Sequence, residues 1–266
     1  TDQHVMKPKN SDVFDSIKND ANKTLVLVDD EATTGDTFAA LAAALQNSEL
    51  VFDKIVLVTL TDWSDGEASK TVQKTTHCPV ENVSLFQGRW SWHNNPEAAQ
   101  KTIPNKCSYA KRPKWTAKND PTNIFFAPRL GTDFTTPLNV SEFFNKGLKK
   151  PTPESRVLVV GTGEHVWTPF LLAEYLEKTG VNSAFLATTR SPILPGDVIK
   201  EKTTFADHFG LGLPMYLHNV KPDEWDQIIV MMETSTDGIC PAFANFLSKA
   251  QVIDGDGNIF NMKDFT

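Results

Sequence analysis

Apolar positions along this chain fall into short, dense runs. Thr24–Asp29 and Lys54–Leu60 are rich in Val, Ile and Leu, and the Ala- and Leu-rich stretch Thr37–Leu45 lies between them. Runs this short, bounded by polar residues, predict buried strands, while the middle stretch suits a helix. Strand, helix, strand at this spacing predicts a βαβ unit, with parallel pairing and a right-handed crossover. A third alternation, Asn82–Phe86, extends the same sheet. Residues 87–123 hold no period for a full turn and are dominated by Pro, Asn, Lys and Trp, which predicts a linker or an inserted loop.

The alternation resumes in the second half. Arg156–Gly161, Ser183–Thr188 and Gln227–Met232 read as strands, with a helix over Thr168–Thr179 after the first. Val252–Phe260 reads as a hairpin turning on Gly255–Gly257. The expected fold class is α/β, with two open and mostly parallel sheets in two domains, residues 1–115 and 116–266. In such sheets ligands bind beyond the carboxyl ends of the strands.

Composition narrows the function. The 266 residues include 26 Lys+Arg and 33 Asp+Glu, a net charge of −7. That acidity argues against a surface built to grip nucleic acid, and the basic group Lys111, Arg112, Lys114 and Lys118 is explained as well by a solvated loop. The longest apolar run, Phe38–Leu45, has eight residues, and a membrane helix needs roughly 18–20. Neither a nucleic acid nor a membrane is expected as a partner. Cys78, Cys107 and Cys240 have neither metal-ligand spacing nor the even count of a disulfide framework, so the chain reads as reduced and cytoplasmic. Thr1–Asn10 has no signal-peptide character, and the missing initiator Met predicts a natural start further upstream.

The most informative stretch is Leu25-Val-Leu-Val-Asp-Asp-Glu-Ala-Thr-Thr-Gly-Asp-Thr37. Four strand residues run into the carboxylates Asp29 and Asp30, then into the turn Thr33-Thr34-Gly35-Asp36-Thr37 and a helix. Backbone N–H groups at the opening of a helix lack partners within it and converge readily on a phosphate. Gly35 permits a turn with positive φ and close approach of a ligand. The two Asp residues repel a bare phosphate, but they suit one carried on a sugar with free hydroxyls, or on Mg²⁺. The competing explanation is an ordinary strand–turn–helix junction with Asp36 as N-cap.

The whole pattern resembles the phosphoribosyl-pyrophosphate (PRPP) signature of type I phosphoribosyltransferases. The resemblance implies that Asp29 and Asp30 hold the ribose hydroxyls as the catalytic pair. It also implies that Thr33, Thr34, Gly35, Asp36 and Thr37 bind the 5′-phosphate, and that Mg²⁺ arrives with PRPP. A nitrogenous base would be the second substrate. One departure matters: in that family strands and a pyrophosphate loop precede the signature, whereas 24 residues precede Leu25 here. A crossover helix alone takes about 10–12. The expectation is therefore an upstream segment, a partner chain or a homo-oligomer.

In the second half, Arg129-Leu-Gly-Thr-Asp133, Gly161-Thr-Gly-Glu-His165, Thr189-Arg-Ser-Pro192 and Phe209-Gly-Leu-Gly-Leu-Pro214 stand out. The second is no dinucleotide fingerprint, because Val166 stands where the last Gly is required. Together these segments resemble the TRSP domain, which follows a phosphoribosyltransferase domain in bacterial proteins encoded near tellurite-resistance gene clusters. Candidates for a second site are Arg129, Gly161, Gly163, Glu164, Thr189, Arg190 and Ser191; the arginines suit phosphate or carboxylate, or else a salt bridge. Asp254-Gly-Asp-Gly-Asn258 imitates a calcium loop but carries Ile259 and Phe265 where Gly and Glu are needed, and reads as a turn. The histidines show no zinc spacing, and Trp90, Trp92 and Trp115 suit packing better than base stacking. The resulting expectation is PRPP-dependent transfer of ribose 5-phosphate to a base, in synthesis of a nucleoside-like metabolite. The alternatives are a PRPP- or nucleotide-binding module without turnover, or the non-catalytic part of a split enzyme.

Overall fold

A computed structural model of the chain describes residues 23–47, 50–91, 93, 107–109, 111 and 139–266. The chain divides into two compact units, Thr1–Gln100 and Lys101–Thr266. Arg112, Lys114, Lys118, Trp92, Trp115 and the Arg129–Asp133 segment lie outside the described residues. Cys107 and Tyr109 pack against the core of the second unit.

The first unit alternates strand and helix: β1 (Thr24–Ala32), α1 (Asp36–Gln46), β2 (Lys54–Asp62), α2 (Glu67–Thr76) and β3 (Val80–Gln87). The three strands pair in parallel in the order β1-β2-β3, with Leu27 level with Leu57 and Asp29 level with Thr59. The strand–helix–strand expectation holds, and α2 is an addition that the apolar pattern did not reveal. Leu27, Ile55 and Leu57 bury one sheet face against Phe38, Ala39 and Ala42 of α1 and Ala68 and Val72 of α2. Successive strand residues alternate between faces, so Val26 and Val28 lie on the other one. There Val28 is 73% exposed and Leu85, on β3, 85%. Parallel sheets ordinarily have both faces covered.

The second unit opens with the single turn α3 (Glu142–Asn145) and builds a five-stranded sheet from β4 (Arg156–Gly161), β5 (Asn182–Ala187), β8 (Gln227–Met231), β9 (Gln251–Ile253) and β10 (Ile259–Asn261). Helix α4 (Trp167–Lys178) links β4 to β5, and a two-stranded antiparallel ribbon, β6 (Lys202–Ala206) with β7 (Pro214–His218), precedes β8. A short helix α5 (Pro241–Phe246) follows β8. The order is β10-β9-β8-β4-β5, parallel except for β10. β4 and β8 form its middle, and Val157, Leu158, Val159 and Val160 are all buried, as central parallel strands require. The expected closing hairpin is present. Its turn is held by Asp254, whose Oδ1 accepts N–H bonds from Asp256 and Asn258, so this acidic segment is a structural turn.

Candidate functional site

At the carboxyl end of β1 the chain places three consecutive exposed carboxylates, Asp29, Asp30 and Glu31. Alternation puts Asp29 on the helix-covered face with Leu27 and Asp30 on the face of Val28. The Asp30 N–H donates to Asp29 Oδ1 at 3.0 Å, which fixes the first carboxylate against the strand end. Three residues beyond Ala32 the chain turns through Gly35, at φ 81, into α1.

That turn is built differently from the Asp36-capped junction considered above. Gly35 is the N-cap, and no side chain caps the helix. Asp36 sits inside the first turn, accepting from the Thr34 hydroxyl at 2.8 Å, while its own N–H donates to Thr34 Oγ1. Thr33 and Thr37 are exposed. Beyond the Asp36 N–H, which Thr34 engages, the next N–H groups and the partial positive charge of the helix start remain available to an external anion. Asp36 opposes that charge, and its contact with Thr34 draws it to the loop. Gly35 itself is buried. A Cβ there would meet the Ala68 backbone, so the glycine lets the turn rest on α2.

Beyond β2 and β3 the same sheet end carries a notch of about 500 Å³, lined by residues that include Asp62, Asp65, Ser69, Asn82 and Arg89. Sequence reasoning missed it entirely. Asp62 is 4% exposed; its carboxylate accepts from the Ser64 N–H at 2.8 Å and from Asn82 Nδ2 at 2.5 Å. Arg89 pairs with Asp65 at 2.8 Å.

In the second unit, three of the segments singled out by sequence meet at the carboxyl ends of β4, β5 and the ribbon. The Gly163 N–H donates to the Thr188 hydroxyl at 2.8 Å. Thr189 exchanges both backbone hydrogen bonds with Tyr216 of β7, and its hydroxyl accepts from the Ser191 N–H. Thr188 and Thr189 are thus structural ties, whereas Arg190, Ser191 and Glu164 are exposed. Asp207 organises the glycine-rich loop by accepting from the N–H groups of Phe209, Leu211 and Leu213.

Beneath these loops lies a buried polar cluster. Thr162 Oγ1 is 3.2 Å from His208 Nε2, which is 3.5 Å from Glu233 Oε1. His165 is 2% exposed and its Nδ1 has no hydrogen-bond partner; burial pushes its pKa down to about 4, with Glu233 opposing and His208 assisting the shift. Gly161 and Gly238 are necessary here. A Cβ on either would lie 2.2 and 2.1 Å from the His165 and His208 carbonyl oxygens respectively. His208 and Glu233 were not legible as site residues. The available signal was Glu233 directly after the apolar run Ile228–Met232, the same grammar that places Asp29 after Leu25–Val28. Among the described residues no group of three or more His, Cys, Asp and Glu is arranged to hold a metal ion, and no helix is long and apolar enough to cross a membrane.

Comparison with known proteins agrees with both halves. Residues 1–89 match the family described as Phosphoribosyl transferase, and residues 136–243 match the TRSP domain, described as lying C-terminal to that transferase domain. No curated protein and no solved structure matches the chain significantly. The two consecutive matches, in the order their descriptions require, show a phosphoribosyl transferase-type domain followed by a TRSP domain.

Proposed function

We propose that the first unit binds PRPP and takes part in transferring its ribose 5-phosphate to a nitrogenous base, releasing pyrophosphate, in the synthesis of a nucleoside-like metabolite. The observation that carries this reading is the exposed Asp29–Asp30 pair running directly into the Gly35 turn and an α1 start that no side chain caps. Carboxylates accept from ribose hydroxyls, and the loop N–H groups and the Thr33 and Thr37 hydroxyls donate to the 5′-phosphate. Catalysis here rests on positioning and on charge, since substitution at the sugar carbon passes through an oxocarbenium-like state that Asp29 and Asp30 stabilise electrostatically.

Mg²⁺, when bound with PRPP, neutralises charge on the departing pyrophosphate. The residues present fit that arrangement. Mg²⁺ ordinarily takes one or two carboxylates together with substrate phosphate oxygens and water, and Asp29 and Asp30 are both exposed to supply them.

Calorimetric titration of PRPP with Mg²⁺ into the full chain tests the reading. Saturable binding, displaced by ribose 5-phosphate and only weakly by inorganic phosphate, is the expected result; no saturable binding overturns it. A second reading, binding without turnover by this chain alone, is favoured by one feature of the sheet: among the described residues β1 has a partner strand on one side only.

A further inference from the structure

Three polar side chains on different elements converge on the notch at the carboxyl ends of β2 and β3. Asp62 closes β2, Asn82 lies on β3, and Ser69 lies in the first turns of α2. Asp65, Gln87 and Arg89 complete its polar rim. The notch adjoins the phosphate turn: Gly35 rests on the backbone of Ala68, and Gly66 and Ser69 on either side of Ala68 both line the notch.

The hydrogen-bond chemistry fixes what this surface can read. A carboxylate only accepts, so Asn82 must turn its NH₂ toward Asp62, and its Oδ1 remains as an acceptor. The Asp62 carboxylate is buried and already takes two donors, which holds Asn82 in that orientation. Asp65 adds another acceptor, one oxygen of which is engaged by Arg89. Charge points the same way. Among the lining side chains, Asp62 and Asp65 set two negative charges against Arg89, whose guanidinium is already paired. Glu67, at the start of α2, is paired with Lys70 and leaves this balance unchanged. An anionic group entering the notch would meet net negative charge at short range, whereas N–H donors would meet acceptors.

We propose that this notch is the acceptor site, and that it selects a heterocyclic base bearing amino or ring N–H donors over one bearing a carboxylate. The assignment rests on the phosphoribosyl-transfer reading of the neighbouring loop. Asn82 and Asp65 read the donors of the base, Asp62 positions Asn82, and Ser69 forms the α2 wall of the notch.

The test is calorimetry of adenine and of orotate with the full chain, each with and without ribose 5-phosphate. Adenine binds and orotate does not. Asn82→Leu removes an acceptor and Ser69→Trp fills the notch from a helix surface; each weakens adenine binding about tenfold, with ribose 5-phosphate affinity unchanged. Should Asn82→Leu fail to fold, Ser69→Trp decides alone. Orotate binding as tightly as adenine, binding of neither base, or full adenine affinity in the folded variants overturns the proposal. Failure of ribose 5-phosphate to bind the parent chain instead removes the phosphoribosyl reading, and the preference between the two bases is still read from the arms without it.

Discussion

A Cβ on Gly35 would lie 2.6 Å from the Cα of Ala68 and 2.7 Å from its carbonyl oxygen. Real Cβ atoms do not approach backbone that closely. The turn that opens α1 and the first turn of α2 are therefore in backbone contact, and the candidate phosphate loop derives its shape from Ala68, 33 residues further along the chain.

Gly35→Ala should thus destabilise the first unit by about 2–4 kcal/mol, combining the strain of a positive φ with a backbone clash. Gly66→Ala is the matched control. Its φ of 84 is nearly the same as that of Gly35, but nothing lies within 4 Å of the added methyl, so about 1 kcal/mol is expected. Denaturant unfolding of the two variants measures the difference directly. Equal losses would show that Gly35 answers to backbone conformation alone.

The acidic pair gives a second prediction. Asp30→Asn keeps the shape of the strand end and removes a charge that faces solvent beside the proposed ribose position. PRPP affinity should fall about tenfold and depend less on Mg²⁺, while ribose 5-phosphate retains part of its affinity through the loop amides. Titrations of both ligands into parent and variant decide it. Identical affinities for both would reduce the carboxylates to a feature of the strand end.

What the sequence revealed and what it hid divide along physical lines. β1, β2, β4 and β8 announced themselves because a strand in a parallel sheet is a continuous apolar run, and Leu25–Val28 or Ile228–Met231 can be little else. Helix α2 stayed hidden because Glu67–Thr76 buries only Ala68, Val72 and Thr76, too sparse a stripe to show against its Lys, Gln and Thr residues. The β6–β7 ribbon was equally silent: Lys202-Thr-Thr-Phe-Ala206 reads as polar, and β7 begins on Pro214. The notch was missed for the same reason, since α2 supplies one of its walls. The Thr33–Thr37 turn was legible because its residues are consecutive. His165, His208 and Glu233 were not, being brought together by three separate strand ends and loops.

That buried cluster makes stability depend on pH. His165 is held neutral, with a pKa near 4 against 6.5 for an ordinary imidazole. In the unfolded chain it protonates first, so its contribution is fully present above pH 6.5 and is lost as pH falls towards 4, flattening below that. The lowered pKa corresponds to a loss of about 3 kcal/mol across the window. Unfolding measured at pH 7 and pH 4.5, in the parent chain and in His165→Gln, isolates this residue from other titrating groups. The variant should show a visibly smaller difference between the two pH values; an unchanged difference would mean that His165 gains a partner for its proton on acidification.

The last prediction concerns turnover. A leaving pyrophosphate departs from the opposite end of the ribose to the 5′-phosphate, so the loop of Thr33–Thr37 cannot serve both. What flanks the proposed ribose position among the described residues has the wrong sign: Asp29, Asp30 and Glu31 are carboxylates, and no Lys or Arg occurs between Leu25 and Asp53. Strand β1 is also bonded to β2 alone, so the described sheet offers no neighbouring strand end beyond it from which further donors could reach the ligand. Crevices in parallel sheets are shared between adjacent strand ends, and here one wall is lacking among the described residues. The chain assayed alone should therefore bind PRPP without releasing pyrophosphate at an appreciable rate against a panel of bases. A coupled pyrophosphate assay on the full chain measures this, with PRPP occupancy verified by calorimetry in the same buffer. Robust release would overturn the argument and would mean that pyrophosphate donors come from outside the described residues.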